Sequence, residues 1–127
     1  MNEAPVDAWV AKADEDYRGA SVLDAADIPD IVCFHCQQCI EKYLKAGLVQ
    51  HGAAVRKIHN LIVLNSLVTQ HDARFAELND GLDVLNPYAV ITRYPGFDIT
   101  PDDAREAVQI MQELRAEIRT LLALDPK

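Results

Sequence analysis

The chain has 127 residues, of which half are apolar and a quarter are charged, and its formal net charge is −8. These totals indicate one soluble domain over residues 1–127, and they argue against broad, nonspecific nucleic-acid binding, which depends on clustered cations. An acidic surface also favours a basic partner. No apolar run approaches the roughly 20 residues that span a bilayer, and no signal segment opens the chain, so we expect a cytoplasmic protein.

The first predicted element is a helix from about Val6 to Ala25. Asp16 falls on its apolar stripe rather than opposite it, with Lys12 one turn earlier. The stripe consists of Trp9, Ala13, Tyr17, Ala20 and Leu23 at helical spacing. Because a bare carboxylate in a core is strongly destabilising, we expect Asp16 to be paired. A salt bridge that fixes helix packing and a role in a ligand site both remain open.

A second helix is predicted from an N-cap at Asp30 to about Gln50, and the two helices together form a long antiparallel hairpin. One side of the second helix carries a polar strip, which consists of His35, Gln38, Lys42 and Lys45 with Gln37 and Glu41 beside them. An exposed Glu41–Lys45 pair contributes only about 0.3–0.5 kcal/mol, which is too small to explain the pattern of the strip. We therefore expect the strip to pack against a polar partner or to face a ligand.

Cys33, Cys36 and Cys39 repeat at three-residue spacing, as in part of an iron–sulfur motif. On one helix they spread over a third of the circumference, and the sequence has no fourth cysteine. We expect buried thiols that allow close helix packing. The four histidines form no compact zinc motif, and no Gly-rich phosphate loop is present, so neither a metal nor a cofactor is predicted.

Shorter helices are predicted in the middle of the chain. A loop over residues 52–58 leads to a helix that opens at His59-Asn60, and Asp72 caps a further helix over 73–85. Arg93-Tyr94-Pro95-Gly96 is a predicted turn, because the residue before proline is extended and Pro-Gly favours chain reversal.

The last predicted helix has the clearest start in the sequence. Thr100 is its expected N-cap, Pro101 takes the first helical position, and the helix ends near Ala123. The expected fold is therefore all-α: an up-and-down helical bundle of four to five helices with a long antiparallel helical hairpin.

The polar strip reads Gln38-x-x-Glu41-Lys42-x-x-Lys45-Ala46 and resembles the signature of HEPN domains, small helical proteins often encoded beside minimal nucleotidyltransferases. Three further motifs agree in the same order: Trp9-x-x-Lys12-Ala13-x-x-Asp16, His59-x-Leu61, and Tyr88 followed by Arg93-Tyr94-Pro95. The resemblance covers nearly the whole chain. It implies a helical bundle, a two-fold homodimer, a nucleotide or RNA ligand, and a nucleotidyltransferase partner in a two-component, toxin–antitoxin-like system.

Ribonucleases of this family, by the same resemblance, carry an arginine followed four to six residues later by a histidine. That spacing is absent here, because only two residues separate Arg56 from His59 and no histidine follows Arg93. The sequence therefore favours a nucleotide- or anion-binding interaction module over an enzyme. The alternative is a metal-independent endoribonuclease toxin with His59 and Arg93 as the catalytic candidates. For His59 the competing role is to cap the helix entrance, and for Arg93 it is an internal ion pair.

The candidate ligand-binding residues are Lys12, Asp16, Lys42, Lys45, Arg93 and Tyr94. Since cations on otherwise apolar helices need partners, we expect five of these residues to meet around one cleft: Asp16, Lys42, Lys45, Arg93 and Tyr94. In the absence of ligand, Asp16 or Glu41 is expected to hold the guanidinium of Arg93.

Overall fold

A computed structural model describes residues 4–125, and within that range the chain forms helices and no strand. Five are α-helices: α1 (Val6–Val22), α2 (Pro29–Gln50), α3 (Leu61–Thr69), α4 (Asn79–Leu85) and α5 (Pro101–Leu121). Three short 3₁₀ helices, Ala73–Leu78, Asn86–Ala89 and Ile91–Arg93, lie between α3 and α5. The all-α bundle is thus confirmed. Residues 1–3 and 126–127, the ends of the predicted domain, lie outside the described residues.

Helices α1 and α2 run antiparallel, as the order of their contacts shows. Trp9 near the start of α1 lies against Lys45 near the end of α2, whereas Gly19 near the end of α1 lies against His35 near the start of α2. Helix α2 also packs against α3 and α5, and 13 of its 22 residues are buried. It is therefore the central helix of the bundle rather than one exposed arm of the hairpin.

The core is built from the apolar faces of all five helices. Its largest fully buried side chains include Tyr43 and Ile40 of α2, Leu64 of α3, Leu82 of α4 and Met111 of α5. Within residues 4–125 no helix is long and apolar enough to cross a membrane.

Two helix bounds differ from those predicted. Helix α1 ends at Val22 because Leu23 adopts an extended backbone conformation and the Asp24 carboxylate accepts the backbone N–H of Ala26. Helix α2 begins at Pro29, so Asp30 lies in its first turn instead of capping it. An acid in this position still interacts favourably with the helix dipole.

The predicted N-cap of α5 is confirmed, and α3, which was expected to open at His59-Asn60, is capped by Asn60. The Asn60 side chain accepts the N–H groups of Ile62 and Val63 at the start of α3. At α5, Thr100 Oγ1 accepts the N–H of Asp103, and the Asp103 carboxylate accepts the N–H of Thr100, which forms a capping box.

The segment between α3 and α5 is less regular than expected. Asp72 does cap it, by accepting the N–H of Arg74, but the predicted continuous helix is divided into the 3₁₀ helix 73–78 and α4. The turn after it has the expected form: Tyr94 is extended, and Gly96 has a φ of 98°, a conformation that favours glycine.

Candidate functional site

Asp16 lies between α1 and α2 and holds two partners on α2. Its Oδ1 is 2.8 Å from His35 Nδ1, and its Oδ2 is 2.5 Å from Lys42 Nζ. The side chain of Asp16 is 11% exposed and that of Lys42 is 25% exposed. The expected pairing of Asp16 is therefore confirmed, and the positive charge of Lys42 is neutralised within the chain.

A second buried cluster surrounds Glu41, one turn after Gln38. Glu41 Oε2 is 3.0 Å from Lys45 Nζ, and the side chains are 4% and 8% exposed respectively. The Lys45 ammonium also lies 5.7 Å from the centre of the Trp9 ring, within the range of a cation–π contact. The polar strip thus packs against polar and aromatic groups of the chain itself at this point, which is the first of the two expected alternatives.

His59 completes the cluster and extends from it to the surface. Its Nδ1 is 3.2 Å from both carboxylate oxygens of Glu41, although its side chain is 62% exposed. Because an ionised carboxylate only accepts hydrogen bonds, Nδ1 carries the shared proton and Nε2 keeps a free lone pair in the neutral ring. The backbone carbonyl of His59 accepts a hydrogen bond from Gln37 Nε2 at 2.9 Å. His59 does not cap α3, since Asn60 does so.

A cavity of about 280 Å³ opens beside His59. Its other walls are formed by Asn60, Asn86, Pro87 and residues 89–91. The Asn86 side chain is fixed there because its Oδ1 accepts the N–H of Leu61 at 2.8 Å. One histidine at the rim of a mostly apolar recess is an arrangement that can hold a small ligand and exchange a proton with it.

Arg93 lies two residues after Ile91, the last residue in the wall of that cavity, and its side chain contacts Phe34 of α2. Its guanidinium carbon lies 5.1 Å from the centre of the Phe34 ring. Among residues 4–125 no carboxylate forms an ion pair with Arg93, so the expected pair with Asp16 or Glu41 is not present in the chain. Those acids are already occupied by Lys42 and Lys45, which reach them from the same helix or its neighbour.

The structure therefore distributes the six predicted ligand-binding residues among separate contacts. Asp16 pairs with Lys42, Lys45 pairs with a different acid, and the exposed Lys12 pairs with Glu15 at 3.5 Å. Tyr94 is exposed beside Arg93. Lys42 and Lys45 thus belong to two distinct ion pairs, and among residues 4–125 neither of their acids also holds Arg93. The single shared cleft stays a prediction.

Comparison with known proteins agrees with the arrangement of these helices. The family model for the HEPN domain matches residues 6–121. The chain belongs to the HEPN domain family. An archaeal HEPN homologue, ST0689, superposes with a TM-score of 0.74 at 22% identity, covering 94% of this chain and 99% of that one. TT1696 from Thermus thermophilus superposes with a TM-score of 0.77 at 22% identity, covering 91% and 96%. No curated protein matches the sequence.

One buried polar network of this HEPN domain was missed at the sequence level. Asp14 accepts a hydrogen bond from the Tyr43 hydroxyl, Arg115 Nε lies 3.1 Å from Asp14 Oδ1, and Arg119 donates to the Tyr43 oxygen at 2.9 Å. Burial raises the pKa of Tyr43 to about 12. The available signal was the spacing of Arg115 and Arg119, which flank Ile118 within the apolar stripe of α5. Two such cations imply an acid on the facing helix.

The three cysteines of the HEPN domain are fully buried on α2, as predicted. Burial raises the pKa of the Cys33 thiol to about 12 and that of Cys39 well above its usual range. Such thiols are protonated and unreactive at neutral pH. Across the described part of the chain, no three His, Cys, Asp or Glu side chains come close enough together to hold a metal ion.

Proposed function

We propose that this HEPN domain is an interaction module that binds a nucleotide on the face carrying Arg93. The observation that supports this is the state of Arg93: its side chain is exposed, it lies over Phe34, and no carboxylate within residues 4–125 neutralises it. Lys12, Lys42 and Lys45 each pair with an acid of the chain. Arg93 is therefore the cation of the predicted set whose charge is available to an anion.

The surroundings of Arg93 suit a nucleotide better than a bare inorganic anion. A guanidinium group grips a phosphate with two parallel hydrogen bonds. Phe34 beside it and the exposed Tyr94 after it offer aromatic faces on which a base can stack. His59 lies on the same side of α2, since Gln37, one turn after Phe34, holds its carbonyl.

Titration with ATP, followed by amide chemical shifts, tests this proposal. We expect Arg93→Ala to weaken binding at least tenfold, and Arg93→Lys to restore only part of the affinity because it lacks the planar fork. Arg105→Ala is the matched control, since it removes another exposed arginine, one that is paired with Asp102 on α5. Equal losses of ATP affinity in Arg93→Ala and Arg105→Ala would indicate only a general effect of charge and would contradict the site.

A homodimer is part of the same proposal. Val90 before Arg93 and Phe97 after the turn expose large apolar or aromatic surfaces, and exposed apolar patches mark interaction sites. Light scattering should give twice the 14.1 kDa of one chain. We expect Phe97→Ser to shift the protein towards the monomer, whereas Val63→Ser, an exposed position on α3, should not. A wild-type monomer at micromolar concentration would exclude the dimer.

We also propose that the physiological partner is a minimal nucleotidyltransferase in a two-component, toxin–antitoxin-like system. The support is membership of the HEPN family together with the availability of Arg93 for a nucleotide. Affinity capture from the native cell, followed by mass spectrometry, should recover a nucleotidyltransferase in stoichiometric amount. Recovery of the HEPN domain alone at native concentration would contradict the partnership.

A second candidate function is metal-independent RNA cleavage, and the Glu41–His59 contact favours it. With Nδ1 held by the carboxylate, Nε2 is oriented to accept the proton of a 2′-hydroxyl group, and Arg93 can stabilise the charge that develops on phosphorus. In the presence of a chelator, His59→Ala and Arg93→Ala should each abolish cleavage, whereas His71→Ala should not. Absence of cleavage by the wild-type protein would leave the binding module as the function.

A further inference from the structure

A long groove lies on the face of the bundle formed by residues 73–85 and α5. Two cavities, of about 500 and 320 Å³, open there and share Glu77 and Glu117 in their walls. They are therefore two parts of one groove. It runs along α5 from Ile110 to Leu121, which is a length of about 17 Å at 1.5 Å per residue.

The two walls of the groove come from different kinds of helix. The α5 wall carries Ile110, Glu113, Leu114 and Glu117 at i, i+3, i+4 and i+7, so it is one face of that helix. The opposite wall joins Glu77 and Leu78, at the end of the 3₁₀ helix 73–78, to Asp80, Gly81 and Val84 of α4. The floor is apolar and tightly packed, because a Cβ atom added at Gly81 would lie 3.1 Å from Leu114 Cδ2.

The rim of the groove is acidic and lacks internal countercharges. Glu77, Asp80, Glu113 and Glu117 line it, and none of the four forms an ion pair with a cation among residues 4–125. Arg74 is the cation in this lining, and its Nε and Nη2 both donate to the Asp72 carboxylate. An apolar floor between unneutralised acids is complementary to an apolar surface flanked by cations.

We propose that this groove docks a basic amphipathic helix of a partner protein. A helix laid between two helices matches their ridges and grooves, and its apolar face reads as residues at i, i+3, i+4 and i+7. A second copy of this chain does not fit, because a two-fold contact would bring the acids of both copies together. An RNA or an anionic membrane is repelled by the same carboxylates. The groove is separate from the Arg93 face, so this proposal does not depend on nucleotide binding.

The test uses three labelled peptides of about 15 residues, a length at which helices become marginally stable in water. The first has leucines at the helical spacing and lysines and arginines beside them. In the second, glutamates replace these cations, and the third has the composition of the first in a scrambled order. We expect saturable binding of the first peptide, at least tenfold weaker binding of the other two, and amide shift changes concentrated at residues 74–84 and 110–121.

Charge reversal locates the interaction. Glu77→Lys/Glu117→Lys should weaken binding of the first peptide at least tenfold. Asp27→Lys/Asp98→Lys changes the net charge equally at exposed positions outside the groove and should retain affinity within about twofold. If the reversed pair does not fold, Glu77→Gln/Glu117→Gln provides the same comparison with a smaller expected loss.

Four outcomes of the peptide titrations would overturn the proposal. They are no saturable binding of the basic peptide, equal binding of the scrambled peptide, an equal loss in the Asp27→Lys/Asp98→Lys control, and shift changes centred on His59 or Arg93. A change of oligomeric state in the Glu77→Lys/Glu117→Lys variant would assign the groove to self-association instead and would likewise overturn it.

Discussion

Nδ1 of His59 lies 3.2 Å from both carboxylate oxygens of Glu41, although 18 positions separate them in sequence. Glu41 also holds the buried Lys45. One carboxylate thus stabilises a buried cation of α2 and orients an exposed imidazole at the start of α3. Through it, the stability of the bundle is linked to the geometry of the candidate site.

Glu41→Gln should be strongly destabilising. The substitution leaves the Lys45 ammonium, which is 8% exposed, without a carboxylate, and breaking a buried ion pair in this way costs about 3–5 kcal/mol. Urea unfolding measures the loss. Glu15→Gln is the control, because its pair with Lys12 is exposed and worth at most about 1 kcal/mol. Similar losses in both variants would show that burial of Lys45 does not determine the effect.

The free energy of unfolding should fall as pH rises above about 9. Burial raises the pKa of the Cys33 thiol from 9.0 to about 12, so the folded protein keeps this proton while the unfolded chain releases it. The stabilisation is fully present below pH 9 and is lost between pH 9 and about 12, at about 1 kcal/mol for each buried thiol by pH 10. Tyr43 adds to the decrease above pH 10, because burial raises its pKa to about 12.

Unfolding at pH 8 and pH 10 tests this dependence. Cys33→Ala lowers stability at both pH values by removing core volume, but it should reduce the difference between them by about 1 kcal/mol. The change in the free energy of unfolding between the two pH values, compared between wild type and Cys33→Ala, separates the effect of titration from that of packing. An unchanged slope in Cys33→Ala would show that this thiol does not titrate differently in the two states.

The parts of the fold that depend on local chemistry were predictable from the sequence. Thr100, Pro101 and Asp103 mark the start of α5 because caps and proline act within one turn. Asp16 on an apolar stripe predicted an ion pair without any knowledge of its partner. Both inferences use only residues of one helix.

The positions of the remaining side chains depend on how helices pack. A helical wheel places Lys45 on the polar strip, but α1 covers that position with Trp9, and the lysine becomes buried. On charge alone, Arg93 was expected to form an ion pair with Asp16 or Glu41. Its contact with Phe34 follows from the path of the irregular segment 86–93, which periodicity does not specify. The divided helix 73–85 was missed for the same reason.

Gly19→Ala should stabilise the protein, whereas Gly52→Ala should destabilise it. Gly19 lies inside α1, and an added Cβ would meet the His35 ring at 3.5 Å, an ordinary contact distance. The gain is about 0.5–1 kcal/mol, because alanine has the higher helix propensity and restricts the unfolded chain. Gly52 has a φ of 72°, so alanine there is strained by about 1 kcal/mol. Thermal unfolding of the two variants should give melting temperatures on opposite sides of the wild-type value.

Arg93→Ala should leave the stability of the domain nearly unchanged. Its contact with Phe34 is exposed, and such cation–π contacts contribute about 0.5–1 kcal/mol. Arg119→Ala is the contrasting variant, because that guanidinium is buried, donates to Tyr43 and to the Asp125 carbonyl, and lies 3.6 Å from Asp14. Its removal should cost about 3 kcal/mol or more.

Urea unfolding of both variants, combined with the ATP titration of Arg93→Ala, separates a binding role from a structural one. The binding role requires that Arg93→Ala lose affinity while its free energy of unfolding stays within about 1 kcal/mol of wild type. If Arg93→Ala is instead as unstable as Arg119→Ala, the Arg93 guanidinium stabilises the folded domain and has a structural role. The exposed charge of Arg93 would then be explained by a structural role and would no longer support the nucleotide site.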